Sequence, residues 1–129
     1  MGLVKEKLDA QKLRGGYYTP KEIAHFLCKW AIDENTGKVL EPSCGDGNFV
    51  EEAILRFKEL GFDDNGLRNR IKGIELIEEE SLKAKLRAKE LGVNSTTIVN
   101  SDFFHYLNSN GDDKYDAVLG NPPFIRYQN

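Results

Sequence analysis

Apolar and polar residues along the chain follow two rhythms. Short continuous apolar runs read as buried strands, and apolar positions three and four apart read as one helix face. Residues 3–14 follow the helical rhythm, with Leu3, Val4, Leu8 and Leu13 on one side of a charged segment that Gly15-Gly16 ends. "YYTP" comes next, where Thr19 suits a helix N-cap and Pro20 the first turn. Ile23, Phe26, Leu27, Trp30 and Ala31 then recur at helical spacing, which predicts a helix with that face in the core, ending near "ENTG". "KVLEP" (38–42) reads as a strand, "SCGDGNF" (43–49) as a turn of small residues, and "FVEEAILRFKEL" (49–60) as an amphipathic helix stopped by Gly61. A polar loop, "FDDNGLRNR" (62–70), leads to a second strand, "IKGIEL" (71–76). Residues 78–92 predict a helix whose acidic first turn and later basic residues suit the helix dipole. "TTIVNSDFF" (96–104) reads as a third strand running into a turn, and "YDAVLG" (115–120) as a fourth strand.

Strand, helix, strand, helix, strand is the pattern of a parallel α/β sheet with right-handed crossovers. Ligands in such sheets bind beyond the carboxyl ends of the strands. The chemically conspicuous residues fall at those ends: Glu41 to Gly45 after the first strand, Glu75 after the second, Asp102-Phe103 after the third and "NPPF" (121–124) after the fourth.

Bulk composition narrows the picture without deciding it. The chain has 129 residues, 40% of them apolar and 30% charged, which suits one domain with a modest core. The net charge of -3 gives no electrostatic DNA footprint, so any nucleic-acid surface has to be local or lie elsewhere. Cys28 and Cys44 match neither a disulfide framework nor a metal spacing and read as free thiols of a reducing cytosol. No apolar run approaches a membrane span, and the N-terminus lacks a signal-peptide core, so a cytoplasmic protein is expected with no membrane partner and no metal.

Each strand end has a bland reading beside a chemical one. Gly45 and Gly47 let the backbone turn tightly, either as a plain strand-to-helix turn or as a loop close to a ligand. The spacing is neither a phosphate-cradling P-loop nor G-x-G-x-x-G, which fits a nucleoside with a short tail. Glu75 is either a solvated acid or an acceptor for both ribose hydroxyls. Asp102 is either a helix N-cap before two core aromatics or an acceptor for an exocyclic amine, with Phe103 and Phe104 as an apolar wall. "NPPF" is either a rigid turn or a catalytic loop. In the second case the Asn121 side-chain carbonyl and the Pro122 backbone carbonyl accept both N–H bonds of one amine. The nitrogen lone pair then stays out of conjugation, and Phe124 stacks on the ring that carries the amine.

The run "GGYYTP", "EPSCGDGNF", "GIEL", "SDFF", "GNPPFIRYQ" covers nearly the whole chain. In that order it resembles the S-adenosylmethionine-dependent amino-methyltransferases, most closely the gamma-type adenine-N6 DNA methyltransferases of restriction–modification systems. The resemblance implies a Rossmann-like class I methyltransferase sheet. It implies that Tyr18, Thr19 and Pro20 close over the methionine part of S-adenosylmethionine, and that Glu41, Ser43, Gly45 and Asp46 form the loop beneath it. It assigns Glu75 to the ribose hydroxyls and Asp102 with Phe103 to the cofactor's adenine. Asn121, Pro122, Pro123 and Phe124 become the catalytic motif, acting on an adenine flipped out of double-stranded DNA.

The family's sheet has seven strands, whereas four are legible here. The expectation is therefore an N-terminal helical segment (1–16) followed by the first part of the methyltransferase domain (17–129). The later strands and the target-recognition domain are absent, so the piece binds cofactor but is incomplete for catalysis. The exposed edge of the fourth strand then invites self-association. Two other readings stay open: methylation of another amine, in protein glutamine or RNA guanine, and a non-catalytic cofactor-binding or interaction fragment.

Overall fold

The computed structural model of the chain describes residues 19–94 and 97–121. The expected helix over 3–14, together with Tyr18, Pro122, Pro123 and Phe124, lies outside the described residues.

The elements run α1 (Lys21–Ala31), β1 (Val39–Glu41), α2 (Asn48–Glu59), α3 (Asp64–Leu67), β2 (Ile71–Glu75), α4 (Glu78–Glu90), β3 (Ile98–Asn100), α5 (Phe103–Ser109) and β4 (Ala117–Val118). All the pairings are parallel, in the order β3-β2-β1-β4. Val39 of β1 is opposite Ile71 on one side and Ala117 on the other, so β1 is central and β4 forms an edge. The fold is the expected α/β sheet with flanking helices.

The larger core lies on one face, where Val39, Ile71 and Ile98 meet Ala53, Ile54, Phe57, Ala84 and Ala88 of α2 and α4. Phe57, Ile54 and Leu67 are fully buried, each contributing roughly 1.5–3 kcal/mol. On the other face Leu40 and Ile74 pack with Tyr106 of α5. The alternation of strand side chains accounts for this division.

Four expectations need correction. Ala24 and Cys28 are the buried residues of α1 and Leu27 packs beside them against the core, while Ile23, Phe26 and Trp30 are exposed. Pro20 rather than Thr19 takes the N-cap position, and no side-chain cap forms. The loop 62–70 contains the single turn α3, capped by Asp63, whose Oδ1 accepts from the Gly66 amide at 2.8 Å. The segment after β3 is the helix α5 rather than a simple turn.

Candidate donor-binding rim

The strand order creates the site. The chain builds β1, β2 and β3 outward in one direction, then returns to place β4 on the opposite side of β1. A crevice opens at such a reversal, beyond the strand ends. The two loops flanking it are 43–47, after β1, and the segment entering Asn121, after β4.

Loop 43–47 is held by backbone bonds and by an acid from the neighbouring strand. Cys44 N donates to Ile74 O at 2.9 Å, and Gly47 N donates to Cys44 O at 2.9 Å. Gly45 N donates to Glu75 Oε1 at 2.9 Å. Glu75 is buried, and its Oε2 accepts from Ile77 N at 2.8 Å. Each carboxylate oxygen has a second lone pair, so Glu75 keeps acceptor capacity beyond these two amides.

The two loop glycines serve different needs. Gly45 has φ +55, and a Cβ there would meet nothing within 4 Å, so the loop opens onto free space at that point. Gly47 has φ +96, and a Cβ there would lie 3.0 Å from Ala84 Cα of α4. The first glycine leaves room for a ligand; the second lets a helix approach.

Glu41 ends β1 in a buried position. Its Oε1 accepts from Ser43 N at 3.3 Å. Burial raises its pKa well above the usual carboxylate range, the Ser43 amide opposes this, and the nearby Glu75 charge adds to it. A Cβ on Gly120 would lie 2.8 Å from both Cδ and Oε2 of Glu41. The Glu41 carboxyl thus lies against the residue that precedes Asn121.

The remaining expected residues are placed less simply. Asp46 Oδ2 pairs with Arg87 of α4 at 3.1 Å, and Glu51 shares that arginine at 3.0 Å. The other oxygen of Asp46 is buried with no partner among the described residues. Asp102 is the N-cap of α5, where its Oδ1 accepts from His105 N at 3.0 Å. Phe103 packs against the Leu40, Ile74 and Tyr106 cluster, and Phe104 is exposed. Asn121 lies on the surface, three positions after the end of β4. The Thr19 carbonyl accepts a hydrogen bond from Asn48 Nδ2.

Three contributors were not legible beforehand. Arg87 steadies the loop, and Asn48 holds Thr19. Asn100 Nδ2 donates to Glu75 O at 2.9 Å and to Leu76 O at 3.0 Å, joining two strand ends. Only Asn48 carried a local signal, since it stands directly after Gly47.

Among the described residues no group of three or more His, Cys, Asp or Glu side chains could hold a metal, and no helix is long and apolar enough to cross a membrane.

The sequence profile of the N-6 DNA Methylase family matches residues 4–129. The type II methyltransferase M.BanIII of Aneurinibacillus aneurinilyticus is 28% identical, over 97% of this chain and 24% of its own. The modification methylase CviBIII of Paramecium bursaria Chlorella virus NC1A is 32% identical, over 95% of this chain and 28% of its own. The type II methyltransferase M.VspI of Vibrio sp. (strain 343) is 35% identical, over 85% of this chain and 25% of its own. A crystal structure from Vibrio vulnificus YJ016, assigned as a modification subunit of a type I restriction enzyme, superposes with a TM-score of 0.71 at 25% identity, covering 95% of this chain and 27% of that one. The chain thus spans about a quarter of the length of the relatives it matches.

Proposed function

The chain belongs to the N-6 DNA methylase family, and from that premise we propose that it carries the donor site and the catalytic loop of an adenine-specific DNA methyltransferase. The protein would act in the cytoplasm, within a restriction–modification system. The donor is S-adenosylmethionine, which supplies an electrophilic methyl group on a sulfonium centre when bound.

The observation that supports the reading is that the ends of β1, β2 and β4 come together, with Gly45 N on Glu75 Oε1 and the Glu41 carboxyl against Gly120, the residue before Asn121. Glu75 would accept the ribose hydroxyls with the lone pairs that Gly45 and Ile77 leave open. Ser43, Gly45 and Asp46 would line the methionine side, with Glu41 beneath and Tyr18, Thr19 and Pro20 above. Asp102 would accept from the donor's adenine amine with the capacity its cap leaves, and Phe103 would lie against the ring. Asn121 and Pro122 would accept the two N–H bonds of the target amine. Pro123 would stiffen that backbone, and Phe124 would stack on a base flipped from double-stranded DNA. No metal enters this scheme. The β4 edge is a second contact surface, through which copies of the chain would pair.

Calorimetry with S-adenosylmethionine tests the donor site. Micromolar binding that is lost in both Glu75→Ala and Asp102→Ala is expected, and no heat at millimolar ligand would sink the reading. For the substrate, the gene product containing these residues is incubated with unmethylated DNA and labelled donor. N6-methyladenine is the expected product, and methylglutamine without it would replace DNA by protein as the substrate.

A further inference from the structure

Two side chains of α2 that the donor-site reading leaves unused hold the chain where it enters α1. Asn48, the first residue of α2, donates through Nδ2 to the Thr19 carbonyl. One turn on, Glu52 is 1% exposed, and its Oε2 lies 3.0 Å from His25 Nδ1. Residues four apart share a helix face, so both ties leave α2 on the side that α1 covers. Between them the fully buried Ala24 and Cys28 bring the helices close, with Cys28 Sγ 3.9 Å from Phe49 O.

The place of Asn48 in the chain gives this tie its meaning. Residues 43–47 form the loop after β1, and Asn48 follows that loop without a spacer. A helix does not need asparagine at its first position, where acids are favoured by the dipole. The amide is instead used across the gap, on the backbone just before Pro20. We propose that Asn48 is a positioning residue for the donor site, holding Thr19-Pro20 beside loop 43–47, with the Glu52–His25 contact as a second arm. This rests on the reading of Thr19-Pro20 and loop 43–47 as two walls of one donor site. Asn48 touches neither donor nor substrate in this scheme. It acts by joining the two walls, so that a ligand meets both already in register.

The test is Asn48→Asp in the full 129-residue chain. Aspartate has the same size and suits a helix N-terminus, yet it cannot donate to the carbonyl. Thermal stability should therefore stay level or rise. Hydrogen exchange in the peptide covering Thr19–His25 should quicken by about threefold to tenfold, the worth of one lost hydrogen bond. The dissociation constant for S-adenosylmethionine should rise by a similar factor. Asn48→Gln, which keeps the donor on a longer arm, should recover part of both. Unchanged exchange in Asn48→Asp would overturn the tie, and faster exchange with unchanged affinity would overturn its positioning role. If the unmodified chain fails to bind the donor at all, the donor-site reading falls and takes the positioning role with it. The exchange comparison would then still report separately whether the tie exists.

Discussion

Replacing Glu75 by glutamine asks whether one carboxylate fastens the donor loop to the sheet. The change keeps the volume and removes the charge. In the native chain, Gly45 N approaches Oε1 at 2.9 Å and Ile77 N approaches Oε2 at 2.8 Å. Glutamine can accept one of these amides; the other then faces an NH2 group and loses its partner. A hydrogen bond to a charged group is worth about 1.5–3 kcal/mol. Against this stands the relief of removing a buried charge near Glu41, a neighbour that Glu75 already pushes toward its protonated form. The net cost should be about 1–2 kcal/mol, since the relief offsets part of the lost bond. Urea unfolding reads it directly: with a slope of about 2 kcal/mol/M, the midpoint should fall by roughly 0.5–1 M with the slope unchanged. Because Gly45 is freed as well, affinity for S-adenosylmethionine should drop by at least about tenfold. An unchanged midpoint would refute the role of Glu75 as a fastener, whatever happened to binding.

Other substitutions probe the rest of the rim. Glu41 has a folded pKa raised by burial, so its contribution is fully present below the unfolded value of about 4.3 and is lost as pH rises through the folded value. Glu41→Gln should remove that slope, so its stability relative to wild type should climb as pH rises above about 4.3, by about 1.4 kcal/mol for each unit separating the two pKa values; parallel unfolding curves would refute this. The two loop glycines should separate: Gly47→Ala, at φ +96 and pressed on Ala84, should cost about 2–4 kcal/mol in unfolding experiments. Gly45→Ala, at φ +55 with open space around it, should cost only about 1 kcal/mol while weakening donor binding in calorimetry. Burial raises the Cys28 thiol to about 12 and the buried Cys44 thiol higher still, so a disulfide reagent at pH 8 should modify both only as fast as the chain unfolds.

Much of the fold was legible because its signals are local. The apolar runs at 38–42 and 71–76 and the spaced apolar positions of 49–60 each report their own element. The misreadings share one cause, which is dependence on a distant partner. Ile23, Phe26 and Trp30 have the right spacing for a buried face, yet Ala24 and Cys28 are the residues that α1 buries, with Leu27 packed beside them. Helix spacing reports a face and not the side on which a neighbour lies. Likewise, no local pattern announces the pairing of Asp46 with Arg87, 41 positions away. For Asp102 the capping alternative was visible from the start, and the cap is what its Oδ1 does. Helix α5 was legible only as what Asp102 would cap, because "FFHYL" has too short a run for its period to show.

The strand order was the least legible feature. Four parallel strands could be arranged with β4 beside β3, which would carry Asn121 to the far edge from loop 43–47. Placing β4 on β1 instead brings the ends of the first and last strands together. Glu41 then acquires a neighbour that its own sequence context could not supply. Its carboxyl lies where a Cβ on Gly120 would be, so a side chain cannot stand at that position without displacing a buried acid. The glycine of "GNPPF" therefore answers to the end of β1 as much as to the turn that follows it. A shift of Glu41 would be felt at Gly120. The ends of β1 and β4 thus meet through one carboxyl and one missing side chain, a contact that arises from the strand order.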